Sequence, residues 1–208
     1  MVTLVSASFS VAFAEPSDSE RLMDLFTKAF NDPNFYQCNR CGQNILNLVD
    51  AAHREGIPLK NAVIINLAHR SHTELDQVVA LKARTSGTSH SRFAKAQPTS
   101  PPSTRGWAFH HTILDVDGKI FDFDFMNEPR VLPTEKYLKE MFFDGLTSSQ
   151  IQTKLKDYRV ELLPALPASE RAGMIGEPIE MTFDKYIKFN SQRTGWQCQA
   201  MFARVLNR

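Results

Sequence analysis

Asp117-Gly118 is the strongest local constraint on the fold of this chain. An Asp-Gly pair accepts two consecutive residues with positive φ, which is what the tightest β-hairpin turns demand. It stands between two stretches of strand character, residues 107–116 and 119–125. From Phe121 onward the second stretch alternates strictly, with Phe121, Phe123 and Phe125 set against Asp122 and Asp124. A period of two puts the rings on one face of a strand and the carboxylates on the other. The expectation is an antiparallel hairpin with an acidic second strand.

The flanking sequence supplies helices. After Pro16-Ser17-Asp18-Ser19, the residues Leu22, Met23, Leu25, Phe26 and Phe30 recur at helical spacing behind a ready N-cap. A second stripe, Ile45, Leu48, Val49 and Ala52, starts at Cys41 and ends near Gly56. Residues 62–67 form a short β-branched run that reads as a buried strand. Farther on, 134–143, 148–158 and 182–189 read as helices and 159–163 as a strand. Helices mixed with an antiparallel hairpin point to the α+β class.

With 208 residues, 42% of them apolar, the chain can bury a core without disulfide staples, and three cysteines cannot make a disulfide framework. Basic and acidic side chains, 24 and 23, nearly cancel, so no nucleic acid partner is expected. No apolar run is long enough for membrane insertion. Residues 15–208 are read as a single catalytic domain, acting as a monomer, with a flexible Ser-, Thr- and Pro-rich loop at 85–106. Residues 1–14 are apolar or small, and Ala12-Phe13-Ala14 has the form of a signal-peptidase site. Two readings stay open there. A signal-peptide remnant would make the protein secreted or periplasmic, and an ordinary N-terminal segment would make it cytoplasmic.

Chemistry enters with Cys41. A thiol becomes a nucleophile when it is held as thiolate, beside a His that shares the proton and an acceptor that orients the His. Cys41 opens a predicted helix, whose N–H groups and positive dipole end favour a thiolate. His110 and His111 lie on the first hairpin strand, and Asp122 and Asp124 on the second. Cys, then His, then Asp, the first on a helix and the others on strands, is the papain-like order. Hairpin parity decides between the histidines. A plain two-residue turn pairs 116 with 119 and puts His111 on the face of Asp122, whereas an odd loop or a bulge at Gly118 puts His110 there.

Several segments resemble the protein N-terminal glutamine amidohydrolases. Cys41-Gly42-Gln43-Asn44-Ile45-Leu46-Asn47-Leu48 is similar to that family's C-x-x-N-[VI]-x-x-L, and the likeness continues through residues 62–66. Trp107-Ala108-Phe109-His110 resembles its W-D-Y-H, and Phe121-Asp122-Phe123-Asp124 its Y-D-L-D. Weaker matches extend the likeness, in collinear order, over residues 36–190. The resemblance implies a papain- or transglutaminase-like fold, with a Cys-bearing helix N-terminus packed on an antiparallel sheet that carries His and Asp. It also implies hydrolysis of a glutamine carboxamide to glutamate with release of ammonia, without metal or organic cofactor. Carried over residue by residue, Cys41 is the nucleophile, His110 the acid and base, and Asp122 the orienting carboxylate. That choice of His110 predicts the odd or bulged hairpin. Gln43, Trp107 and Asp124 are the candidates for contact with a protein or peptide presenting glutamine.

The sequence departs from the pattern at Ala108, where the family has Asp, and at Gly42-Gln43, where it has an acidic pair. An acidic pair there would hold a substrate α-amino group, so its loss opens a second reading: a secreted deamidase of glutamines inside proteins. A papain-like cysteine protease or a transglutaminase would share the same acyl-enzyme chemistry. From other classes come a zinc or redox site at Cys38-Asn39-Arg40-Cys41, and a catalytically dead binding module of the same fold.

Overall fold

The computed structural model describes residues 15–37, 40–59, 61–69, 77–80, 105–108, 110–171, 179–183, 185, 186 and 188; the side chains at 77–80, 105–108 and 110 are outside this description. The segment read as a possible export signal, nearly all of the 85–106 loop, Cys38 and Cys198 lie outside it.

Two helices open the described chain. Helix α1, Asp18–Asn31, starts from a reciprocal cap in which Ser17 accepts from the Glu20 N–H while Glu20 accepts from the Ser17 N–H and hydroxyl. Helix α2, Cys41–Arg54, has no side-chain cap and no acidic residue in its first turn. Both present the apolar stripes expected of them.

A six-stranded sheet follows, built from β1 (Ala62–His69), β4 (His110–Val116), β5 (Lys119–Phe121), β6 (Leu132–Pro133), β7 (Tyr158–Pro164) and β8 (Ile179–Thr182). Its order is β6-β5-β4-β1-β7-β8 and every pair is antiparallel. Strands β2 (Gln77–Ala80) and β3 (Arg105–Ala108) pair separately. The class is therefore mixed helix and antiparallel sheet, α+β.

Alternation along β1 divides the core. Ala62 and Ile64 join Leu114, Phe121 and Phe123 beneath α1 and α2. Val63, Ile65 and Leu67 join Ile113, Ile120, Val160 and Leu162 on the other face. There they meet Tyr137 and Leu138 of helix α3 (Thr134–Leu138), Met141 and Phe142 of the π-helical turn Lys139–Phe143 that continues it, and Phe183 and Tyr186. Helix α4, Ser148–Asp157, precedes β7, and a short α5, Ala168–Arg171, follows it. Phe123 sits at the centre of the α1 side, with ring centroids 5.0 Å from Phe26, 5.6 Å from Phe35, 6.3 Å from Phe30 and 6.5 Å from Tyr36.

The hairpin forms, and with the plain turn. Val116 pairs directly with Lys119, while Asp117 and Gly118 take φ of 51° and 76°. The odd or bulged loop required by the choice of His110 is thus not formed. The second strand is also shorter than its alternation implies. It ends at Phe121, because Asp122 Oδ1 accepts the Asp124 N–H at 2.8 Å and turns the chain within two residues. A side chain that satisfies the backbone N–H two positions on replaces the strand ladder with a turn. The two carboxylates expected on the wet face of a strand lie instead in this turn, and both are buried.

Candidate active site

Position 41 is the first helical residue of α2, so the sulfur sits among backbone N–H groups that have no partner within the helix. The absence of an acidic side chain in that turn leaves the positive dipole end for an anion at Cys41. The segment leading into the helix is held by Asn44. This buried side chain accepts the Gln37 N–H at 2.9 Å and donates to the Gln37 carbonyl at 2.8 Å, spending both ends of its amide on one residue. Gly42 brings the helix against β4, with room for a Cβ only at ordinary contact, 3.5 Å, from Thr112 Oγ1.

Strand β5 provides the opening. Its last pair is Phe121 with Leu114, so farther back along β4 the Thr112 N–H is not taken by β5. It donates instead to Cys41 Sγ at 3.4 Å. Thr112 Oγ1 in turn donates to Asn66 Oδ1 at 2.8 Å, which ties this edge to β1.

His111 is the histidine at the site. Its Nε2 lies 3.0 Å from Asp122 Oδ2, with both side chains almost wholly buried. Burial by itself would drive the imidazolium to lose its proton. The charge of Asp122 and its hydrogen bond, followed by smaller contributions from the neighbouring Cys41, reverse that and hold His111 up at about 10. With Nε2 turned to Asp122, Nδ1 is the ring nitrogen left for proton exchange with the thiol. Asp122 is itself gripped: Oδ2 also accepts the Tyr137 hydroxyl at 2.7 Å, and Oδ1 accepts the Asp124 N–H. The assignment of His110 is corrected by this register, because the I′-type turn at Asp117-Gly118 fixes the parity of the hairpin. Position 110 itself pairs with Ala68 on β1.

The remaining expectations divide. Cys41 and Asp122 lie at neighbouring residues of β4, Cys41 at the Thr112 N–H and Asp122 at the His111 imidazole. Asp124, a proposed substrate contact, is buried and accepts the Tyr36 hydroxyl at 2.7 Å, so it braces the acid turn against the segment before the nucleophile. Gln43 is exposed on the outside of α2 and donates to Asn47 at 2.8 Å. Trp107 lies on β3 opposite Val78, with its side chain outside the described residues. Cys41 is unpaired and buried. Three residues at the site had no role in the sequence reading. Asn44 stood inside a matched motif without a function. Tyr36 lies just upstream of the nucleophile, and its hydroxyl is committed to Asp124. Tyr137, an aromatic on a predicted amphipathic helix, reads from sequence as plain packing.

His111, Asp122 and Asp124 also bring one donor atom each within 4.8 Å of one another. The two carboxylates already accept hydrogens from the His111 imidazole, the Tyr36 and Tyr137 phenols and the Asp124 amide, so a cation held there would compete with those bonds. Among the described residues no helix is long and apolar enough to cross a membrane. No protein-family model matches the chain, and neither does any curated protein.

Proposed function

We propose that this chain is a cysteine-dependent amidohydrolase that converts glutamine to glutamate, acting on an N-terminal glutamine of a protein or peptide, in a papain- or transglutaminase-like arrangement. The observation that carries the proposal is the buried pair of His111 and Asp122 beside a thiol at the first residue of a helix. The choice of a carboxamide as substrate comes from the resemblance of residues 36–190 to the N-terminal glutamine amidohydrolases.

The Cys41 thiolate attacks the carboxamide carbon, and the carbonyl electrons move onto oxygen. N–H groups of the first turn of α2, and the exposed side-chain amide of Gln37 on the segment before it, are assigned as the donors to that oxyanion. As the C–N bond breaks, His111 gives its proton to the departing nitrogen, and ammonia leaves behind a thioester. The now neutral His111 takes a proton from water, the hydroxide adds to the thioester, and the C–S bond breaks to release glutamate and restore the thiolate. Asp122 keeps the imidazole in the tautomer and orientation that both steps need.

One observation favours a second reading. The first turn of α2 lacks an acidic residue that would anchor a substrate α-amino group, which suits a deamidase of internal glutamines. Ammonia release from two peptides separates them, one beginning with glutamine and one with an internal glutamine and both ends blocked, each run with reductant beside Cys41→Ala. Release from the first alone supports the N-terminal activity. Release from the blocked peptide moves the assignment to protein deamidation. Silence from both, or activity of Cys41→Ala, removes the amidohydrolase reading.

A further inference from the structure

The oxygen of Asp122 that faces His111 is shared. Tyr137 Oη donates to Asp122 Oδ2 at 2.7 Å, while His111 Nε2 meets the same atom at 3.0 Å. Tyr137 and Asp122 are each 1% exposed, so water does not compete for that oxygen. A carboxylate pulls on a neighbouring proton less strongly with each further donor it accepts, because every donor takes up part of its charge. The phenol is placed for this by α3, on the face of the sheet that also carries His111 and Ile113.

We propose that Tyr137 is a positioning residue of this site: by sharing Asp122 Oδ2 with His111 it fixes the carboxylate and limits how tightly that carboxylate holds the imidazole proton. The inference rests on the reading of Cys41, His111 and Asp122 as the reacting set. It gives the phenol a definite task. An imidazolium held too tightly gives its proton to the leaving nitrogen reluctantly and returns late to the neutral form that activates water. The groups facing the pair are Asp122 and Asp124 from the turn after β5, Cys41 from α2, and Tyr186, whose hydroxyl is turned to Asp115 at 3.2 Å. Burial, with the charge of Asp122 next, keeps Tyr137 protonated well past the usual tyrosine range, so it remains a donor wherever the protein is folded.

The test replaces Tyr137 with Phe and, separately, with a ring-fluorinated tyrosine, which is a stronger donor of nearly the same shape. His111 is followed by NMR titration in the resting protein, and the pH dependence of kcat and kcat/KM by ammonia release. Loss of the donor is expected to move the His111 transition, the acid limb of kcat and the alkaline limb of kcat/KM about one pH unit alkaline, the size of one hydrogen bond to a charged group. The fluorinated residue is expected to move them the other way, and it carries the test alone if Tyr137→Phe does not fold. A purely structural tyrosine would change rates or stability and leave these positions unmoved; unmoved His111 in a folded fluorinated protein overturns the inference. Opposite movements of His111 in a protein that releases no ammonia would support the inference while removing the amidohydrolase reading.

Discussion

Asp122→Asn isolates what the buried carboxylate does. The substitution keeps shape and volume and removes one charge, so the core around Phe123 and Tyr137 need not repack. In the wild-type protein His111 is held at about 10 against an ordinary value of 6.5, which corresponds to roughly 5 kcal/mol in favour of the imidazolium. That preference survives an opposing cost of burial, the largest single influence on the ring. Without the carboxylate only Cys41 supports the charge, and His111 is expected to titrate below 6.5. The sign for stability follows from the same numbers. A group whose proton is held more tightly in the folded state contributes its full stabilisation below about 6.5 and loses it as the pH climbs to about 10. Urea unfolding of the wild type should therefore weaken across that window by several kcal/mol, and Asp122→Asn should show little of the slope. Catalysis should suffer more than the fold. An amide NH₂ facing Nε2 forces the ring proton to Nδ1, beside the thiol it must deprotonate, and a wrong tautomer of this kind costs about 10⁴-fold in rate. Titration of labelled histidine gives the direct reading. If His111 still ionises above 8 in the folded variant, something other than the carboxylate holds its proton, and Asp122 loses its role.

Three further expectations separate the pieces. His111→Ala should abolish ammonia release, whereas His110→Ala should retain most of it; the reverse pattern would mean that the hairpin register differs in solution. Asn44→Ala should destabilise the protein by about 1–3 kcal/mol in urea, since it leaves the Gln37 N–H and carbonyl without their partners, and a neutral result would dissolve the clamp. Gly118→Ala should cost on the order of 1 kcal/mol by the same measurement, purely from a φ of 76°, because a Cβ there meets nothing within 4 Å.

Local signals carried much of the architecture. The stripe from Leu22 to Phe30, the stripe from Ile45 to Ala52 and the β-branched run of β1 each formed the element their period demands, because each spans enough turns or residues to bury one face. The Asp-Gly pair left the choice of histidine open, and the register of the folded hairpin, Val116 against Lys119, makes it. In that even pairing His111 shares the face of Asp122. The motif match placed the histidine one position early, where two adjacent histidines make a short pattern fit almost equally well in either frame. Other features left no trace in periodicity. Alternation through Phe125 cannot reveal that Asp122 turns its own backbone away from the strand. Nor can it reveal burial of two carboxylates, which depends on hydroxyls from Tyr36 and Tyr137, on elements remote in sequence. Hydrogen bonds of this kind are set by tertiary placement, so they became readable only once α3 and the segment before α2 were in position.

Phe123 gives the acid turn an anchorage of a different kind. Its ring is wedged among Phe26, Phe30, Phe35 and Tyr36, while the carboxylates on either side of it serve the histidine and Tyr36. Phe26 and Phe30 of helix α1 are thus the bedrock on which the acid turn stands. Heat, pressure or a trimmed ring that slackens this packing is expected to tilt the turn, and with it the imidazole, before the sheet comes apart. If the proposed chemistry holds, turnover would gauge how well the first helix is seated, and residues remote from the thiol would share its constraints.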